Sequence, residues 1–181
     1  MLRLHQRAAC AALLCFVLSP ACSPSAGGGA VESPAAGAGQ TRPPDFELRT
    51  LDGSSVRLSD HVGNKVVLLD FWATFCEPCL RAMPELEALY KRYKAQGFIV
   101  LGVSIDGADS LLAVRSDVQK LGISFPILLD QETRVVALYN PKTSAPFSVL
   151  IGKDGRVLAR REGYANGAEH PLEREIQAAL R

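Results

Sequence analysis

Short runs of apolar residues alternate along this chain with segments in which apolar residues recur at helical spacing. The uninterrupted runs are typical of buried strands and predict them at 65–72, 98–105 and 125–129. Two pairs of shorter alternating segments each flank a turn signal. They predict two β-hairpins: 46–48 with 56–58 around Asp52-Gly53, and 147–151 with 156–160 around Lys153-Asp154-Gly155.

Helical spacing predicts the elements between these strands. A helix begins at the cysteine pair Cys76 and Cys79 and ends near Gly97, and Pro84 is expected to kink it. Further helices are predicted at about 109–121, 132–139 and 171–180. Strands that alternate with helices and are closed by a hairpin and a helix predict an α/β fold around a mixed central sheet.

The chain begins with the features of a bacterial export signal, predicted at residues 1–21. Two arginines precede an apolar segment at 8–18 that is too short to cross a bilayer, and small residues stand directly before Cys22. A lipoprotein-type signal would leave Cys22 as the lipidated first residue, which also accounts for an otherwise odd cysteine. Cleavage after Ala21 would instead leave a soluble protein with a free thiol.

Composition divides the remainder of the chain into two parts. Residues 22–43 are mainly Ser, Gly, Ala and Pro, cannot bury enough apolar surface to fold, and are predicted to form a flexible tether. Residues 44–181 are expected to form one folded domain. The formal net charge of +1 and the lack of a basic run in the sequence argue against a nucleic-acid partner.

The cysteine pair lies where the central strand is followed by a helix. A thiol at a helix N-terminus faces unpaired N–H groups and the positive end of the helix dipole, and both favour the thiolate. A second thiol three residues on can resolve a mixed disulfide. A zinc site would need further ligands that the sequence of 44–181 does not offer, and a purely structural disulfide would close too short a loop to stabilise much. Redox chemistry is therefore predicted.

Short motifs occur in a fixed order along residues 44 to 180: Pro44-Asp45-Phe46, Leu51-Asp52-Gly53, Leu58-Ser59-Asp60, Phe71-Trp72-Ala73-Thr74-Phe75-Cys76-x-Pro78-Cys79, Met83-Pro84-Glu85-Leu86, Val103-Ser104-Ile105-Asp106, Ala145-Pro146 and Asp154-Gly155. Together they resemble the TlpA/ResA branch of the thioredoxin-like superfamily, with an AhpC/TSA-Redoxin type domain. The resemblance implies a thioredoxin fold with an N-terminal β-hairpin and a central helix–strand insertion at about 98–130.

The same resemblance implies an extracytoplasmic, membrane-tethered thiol–disulfide oxidoreductase. Such proteins need no cofactor beyond a redox-active disulfide, here Cys76–Cys79, and reduce disulfides in exported proteins, including apocytochromes c. The implied partners are these substrates, a membrane thiol donor, and the membrane itself through an N-terminal lipid. The protein is expected to act as a monomer.

The residues around the motif receive individual roles. Cys76, nearer the helix N-terminus, is the candidate nucleophile, and Cys79 the more buried resolving thiol. Pro78 suits the first turn of a helix. Glu77 is expected to oppose the thiolate and to tilt the couple toward a reductant, although an exposed carboxylate is largely screened. Trp72 is expected to pack beside the site.

Two further positions carry over from the resemblance. Pro146 matches the cis-proline that faces the cysteines in this fold, and the Ala145 backbone before it would bind an extended substrate segment. Relatives commonly carry glutamate three residues after the second cysteine, where this chain has Ala82, and asparagine where it has Asp70. An aspartate at this position is similar to thioredoxin itself, and this similarity implies that Asp70 is a buried proton carrier beneath the active site. The alternative is a solvated aspartate at a strand end.

Three other functions stay open from the sequence. A peroxiredoxin-like thiol peroxidase would share the fold, but its proline and threonine precede a single peroxidatic cysteine at a different spacing. A Sco-like copper-binding module would need CxxxC and a distant histidine. An isomerase or oxidant would use the same CxxC motif in another redox direction.

Overall fold

The computed structural model describes residues 42–164 and 171–181. The predicted signal peptide, nearly all of the predicted tether and Cys22 lie outside these residues. Seven strands and four helices are present in the described part: β1 (Glu47–Arg49), β2 (Ser55–Arg57), β3 (Val66–Trp72), α1 (Glu77–Tyr93), β4 (Phe98–Ser104), α2 (Leu111–Lys120), β5 (Ile127–Leu129), α3 (Arg134–Tyr139), β6 (Phe147–Ile151), β7 (Val157–Glu162) and α4 (Pro171–Leu180). No helix within the described residues is long and apolar enough to cross a bilayer.

Five strands form a mixed sheet in the order β5-β4-β3-β6-β7. β3 runs parallel to β4 and antiparallel to β6, so the predicted mixed α/β sheet is confirmed. All seven residues of β3 are buried because the strand is central and is covered on both faces. Its continuous apolar run is the pattern expected of such a strand.

The N-terminal hairpin forms a separate two-stranded sheet in which β1 pairs antiparallel with β2. Its turn is held by the Asp52 carboxylate, which accepts hydrogen bonds from the side chains of Thr50 and Ser54. The hairpin reaches the main sheet at β5, where the Leu51 N–H donates to the carbonyl of Ile127 at 2.8 Å. The hairpin thus covers one edge of the main sheet, and the prediction is confirmed.

The predicted central insertion corresponds to α2 and β5. Sequence predicted a strand at 125–129, but regular pairing begins only at Ile127, since Pro126 lacks an N–H to donate. The Pro126 carbonyl still accepts a bond from the N–H of Gly102 at 3.0 Å. Gly102 permits this close approach, because a Cβ there would lie 2.9 Å from side-chain atoms of Phe125 and Ile127.

Helix α1 carries the cysteine motif at its N-terminus and packs its apolar face on the sheet. It continues through Pro84 to Tyr93 as one helix, and Pro84 lies on the exposed face. The chain then makes a single 3₁₀ turn and leaves it at Gly97, whose φ of 92° is readily adopted only by glycine. The predicted end of the helical segment at Gly97 is confirmed.

Candidate active site

Cys76 and Cys79 form a disulfide in which the two Cα atoms lie 5.3 Å apart. Cys76 is the N-cap residue of α1, and its Sγ accepts a hydrogen bond from the N–H of Cys79 at 3.3 Å. This N–H has no partner within the helix, so it is available to a sulfur at this position. The arrangement would stabilise a negative charge on Cys76 once the disulfide is reduced.

The two sulfurs differ in their access to solvent. Cys76 is 7% exposed and Cys79 only 2%, which agrees with a nucleophilic and a resolving thiol respectively. Phe75, immediately before the pair, is 78% exposed and presents an apolar side chain beside Cys76. An apolar surface next to a reactive sulfur is suited to contact with a protein substrate.

Glu77 and Pro78 lie in the first turn of α1, as predicted. The Glu77 side chain is 83% exposed and forms an ion pair with Arg81 at 2.5 Å, one turn along the helix. The guanidinium of Arg81 offsets the negative charge that Glu77 places near Cys76. The effect of Glu77 on the thiolate is accordingly expected to be small.

The loop between β3 and α1 is fixed by an aspartate that follows the neighbouring strand β4. Both carboxylate oxygens of Asp106 accept bonds from the Thr74 N–H at 3.1 Å, and one also accepts from the Thr74 hydroxyl at 2.6 Å. The Ser104 hydroxyl donates to Asp106 as well, at 2.8 Å. Sequence reasoning assigned no role to Asp106, although a polar residue after an apolar strand parallel to β3 must lie at the same sheet edge as the motif.

Trp72 and Pro146 occupy the ends of the two strands that lead into the site. Trp72 is fully buried at the end of β3, and the register places Phe71 opposite Phe147, the first residue of β6. The Ala145–Pro146 peptide bond is cis, as predicted. The Pro146 carbonyl accepts a bond from the Gly163 N–H at 2.8 Å, which joins the start of β6 to the end of β7.

Asp70 lies within β3 and is 8% exposed, so the alternative of a solvated strand-end aspartate is wrong. It lines a small cavity of about 70 Å³ together with Pro146, Ser148, Arg161 and Tyr164, and the other lining residues in the described part of the chain are Gly163 and apolar residues. Burial raises the pKa of the Asp70 carboxyl to about 7. A carboxyl with such a pKa can accept and release a proton near neutral pH.

The described residues contain no cluster of three or more His, Cys, Asp or Glu side chains arranged to hold a metal ion. The redox group that they do carry is the disulfide at the start of α1.

The part of the chain that carries this site matches a known protein family. Residues 40–160 match the model of the AhpC/TSA family. The chain belongs to the AhpC/TSA family. Within this family it is 40% identical over 126 residues to the thiol-disulfide oxidoreductase ResA of Geobacillus kaustophilus, a match that covers 70% of each chain. The corresponding ResA of Geobacillus thermodenitrificans is 38% identical over the same length.

Solved structures of similar proteins agree with the fold. A putative thiol:disulfide interchange protein DsbE from Chlorobium tepidum is 34% identical, with a TM-score of 0.71, and the match covers 78% of this chain and 97% of that protein. A putative protein disulfide isomerase from Bacteroides thetaiotaomicron is 28% identical, also with a TM-score of 0.71, covering 78% of this chain and 89% of its own. This AhpC/TSA family member is thus a thioredoxin-like protein–disulfide oxidoreductase that resembles ResA.

Proposed function

We propose that this protein reduces disulfides in exported proteins by means of the Cys76–Cys79 dithiol. The observation that carries the proposal is the position of the Cys76 sulfur at the N-terminus of α1, where the Cys79 N–H donates to it. A thiolate stabilised there is a nucleophile for disulfide exchange at neutral pH.

The reaction consists of two exchange steps. The Cys76 thiolate attacks one sulfur of the substrate disulfide, which forms a mixed disulfide and releases the other substrate sulfur as a thiolate. Cys79 then loses its proton and attacks the Cys76 sulfur, which releases the second substrate thiolate and forms the disulfide observed here. Two electrons pass from the dithiol to the substrate.

Asp70 is proposed to accept the proton of Cys79 in the second step. Its raised pKa and its burial next to Pro146 support this role, since a general base works best when its pKa is close to the working pH. Ala82, where relatives commonly have glutamate, is 3% exposed in α1 and supplies no carboxyl. On this proposal the acid–base group lies on strand β3 rather than on helix α1.

The proposed substrate surface consists of the exposed Phe75, the first turn of α1 with Glu77 and Pro78, and the backbone at Ala145 and Pro146. An extended substrate segment would pair with the Ala145 backbone as an added strand and place its disulfide over Cys76. Trp72 would support this surface from within the core, since it is fully buried.

The protein is proposed to work outside the cytoplasm, held to a membrane by a lipid on Cys22. The export-type residues 1–21 and the tether composition of 22–43 support this location. The names of its relatives, ResA and DsbE, support substrates among exported proteins, of which apocytochromes c are a candidate, and a membrane thiol donor would restore the dithiol.

Insulin reduction tests the activity. The protein without residues 1–21 should reduce insulin disulfides when a chemical reductant is supplied, and Cys76→Ser should abolish this. Cys79→Ser should trap mixed disulfides with substrate, whereas Cys22→Ser is the control and should keep full activity. The assigned roles are reversed if Cys79 is the thiol that is alkylated first at low pH.

Redox direction is tested by equilibrating the Cys76–Cys79 couple with glutathione. A potential of about −270 mV is expected for a reductant, whereas a value of about −120 mV would identify an oxidant.

Detergent partitioning tests the membrane anchor. The full chain expressed in a bacterium with lipoprotein processing should partition into detergent, and Cys22→Ala should release it. An unmodified Cys22 at the N-terminus of a soluble mature protein would contradict the anchor.

A further inference from the structure

The cavity beside Asp70 is lined by residues of three neighbouring strands, β3, β6 and β7. Register pairs Asp70 with Ser148 across β3 and β6, and Ser148 with Arg161 across β6 and β7. Residues directly opposite each other on neighbouring strands point to the same face. A carboxyl, a hydroxyl and a guanidinium therefore stand in a row, and all three residues line the cavity.

Tyr164 completes this row at the surface. It follows β7, lines the same cavity, and its hydroxyl donates a short hydrogen bond to Oε2 of Glu85, an exposed residue of α1. Burial, the bond to Glu85 and the charge of Asp70 together raise the pKa of the Tyr164 phenol. The phenol accordingly stays protonated at neutral pH and can both donate and accept a hydrogen bond.

The cavity is suited to water. Its volume of about 70 Å³ exceeds what a single water needs, and several polar groups line it. Nη1 of Arg161 is buried and has no hydrogen-bond partner among the described residues, while Nη2 forms an ion pair with Glu175. Buried donors in such positions are commonly satisfied by ordered water.

We propose that water in this cavity, together with the Tyr164 hydroxyl and the Glu85 carboxylate, forms the route by which the Asp70 proton exchanges with solvent. The inference rests on the proposed function of Asp70, because a base that takes up one proton in each cycle must return it before the next. The route leads from a buried strand to an exposed carboxylate on α1.

The other elements around Asp70 offer no competing titratable group within the described residues. On β4 its register partner is Gly102, which has no side chain. The cavity residues from α1 and α4 are Leu86, Pro171 and Leu172, all apolar. Arg161 forms an ion pair with Glu175, and its guanidinium N–H groups can orient water as hydrogen-bond donors.

The sequence balances in protons and in electrons: the two electrons pass to the substrate in the exchange step, and the later steps move only a proton. The S–H bond of Cys79 breaks as its sulfur bonds to Cys76, the proton bonds to Asp70, and the substrate leaves as a thiolate. Asp70 then passes this proton to cavity water, Tyr164 accepts one proton while it gives its own to Glu85, and Glu85 releases it to solvent.

The test follows Asp70 itself in the full-length oxidised protein, so it does not depend on the thiol chemistry. After a laser-induced pH jump, infrared spectroscopy monitors the Asp70 carboxyl band, which is assigned by its loss in Asp70→Asn. Tyr164→Phe and Glu85→Gln should each slow the relaxation of this band by roughly 10- to 100-fold. A positioned proton-transfer group typically contributes about 100-fold or more to a rate, so the expected effect lies at or below the lower end of that range. Imidazole, a small proton carrier, should restore part of the rate.

Tyr93→Phe is the matched control. It removes a tyrosine hydroxyl that joins α1 to Glu173 and Gln177 of α4. Tyr93 is not among the described residues that line the cavity, so the change should leave the relaxation unchanged. Equal relaxation in Tyr164→Phe and Tyr93→Phe would overturn the route. If instead Tyr164→Phe slows relaxation while Asp70→Asn leaves insulin reduction unchanged, the route stands and the assignment of Asp70 as the base fails.

Discussion

The carboxylate of Asp106, at the end of β4, holds Thr74, which lies 32 residues earlier between β3 and the cysteine pair. Asp106 is 3% exposed and also accepts the Ser104 hydroxyl, so its oxygens are fully engaged. Two parallel strands are thereby joined at the edge of the sheet where the active site lies. The position of Cys76 depends on this junction as well as on α1.

Replacement of Asp106 should weaken both the fold and the site. Asp106→Ala leaves the half-buried donors of Thr74 and the buried hydroxyl of Ser104 without this acceptor, and we expect the free energy of unfolding to fall by about 2–4 kcal/mol. Urea unfolding of the oxidised protein measures this change. Alkylation of the reduced protein should also become slower at Cys76, because its loop is less well positioned.

The control for Asp106 is Asp109→Asn, which removes an exposed carboxylate three residues later. Its effect on unfolding should stay within about 0.5 kcal/mol. If Asp106→Ala unfolds at the same urea concentration as Asp109→Asn, the hydrogen bonds to Thr74 contribute nothing to stability.

Asp70 should make stability depend on pH. Its pKa is raised from 3.8 to about 7 in the folded protein, so the folded chain binds this proton more tightly than the unfolded chain does. The contribution of Asp70 to stability therefore falls as pH rises from about 4 to about 7, and its full cost applies above pH 7. Asp70→Asn should stabilise the oxidised protein above pH 7, by at most about 4 kcal/mol, and should have little effect near pH 4.

Urea unfolding of both proteins across this pH range provides the measurement. The difference between them should grow with pH and then level off. A difference that is constant with pH would mean that Asp70 titrates alike in the folded and unfolded states.

Loss of the Asp70 carboxyl should slow resolution of the mixed disulfide. Asp70→Asn keeps the shape of the side chain but removes the proton acceptor, and we expect resolution by Cys79 to slow roughly 10- to 100-fold while attack by Cys76 changes less. Adding Ala82→Glu to this variant should restore part of the rate from the helix side. Stopped-flow measurement over a pH series separates the two steps, and an unaltered pH profile in Asp70→Asn would rule the role out.

Glu77 should have little influence on the redox couple. Its side chain is mostly exposed and is paired with Arg81. Glu77→Gln is expected to change the potential by less than about 15 mV, and Arg81→Gln should shift it in the opposite direction. Equilibration with glutathione measures both, and a shift beyond about 30 mV for Glu77→Gln would show that its charge acts on Cys76 with little screening.

Features set by neighbouring residues could be predicted from the sequence. The turn at Asp52 and the helix stop at Gly97 depend on side-chain and backbone preferences of a few adjacent positions. The strand predicted at 125–129 is too long at its start. Its apolar residues fit a strand, but Pro126 has no N–H for the ladder, so regular pairing begins at Ile127. Cis Pro146 was predicted only through the family resemblance, since most X–Pro bonds are trans.

Contacts between distant segments could not be predicted in this way. Tyr164 and Glu85 are 79 residues apart, and their contact depends on how the end of β7 meets α1. The cavity row likewise depends on strand register, which places Arg161 two strands away from Asp70. Sequence indicated that a carboxylate would be buried at position 70, but not which groups would surround it.

The burial of β3 on both faces and its pairing along both edges have a consequence for amide hydrogen exchange. The N–H groups of such a strand exchange only when the whole domain unfolds. Exchange at Leu68 or Leu69 therefore measures the global unfolding free energy of whichever redox form is in solution. The unfolding free energies of the disulfide and dithiol forms can each be measured in this way. Their difference equals the difference in free energy of reduction between the folded and the unfolded chain. Together with the potential of the cysteine pair in the unfolded chain, it gives the reduction potential of the folded protein.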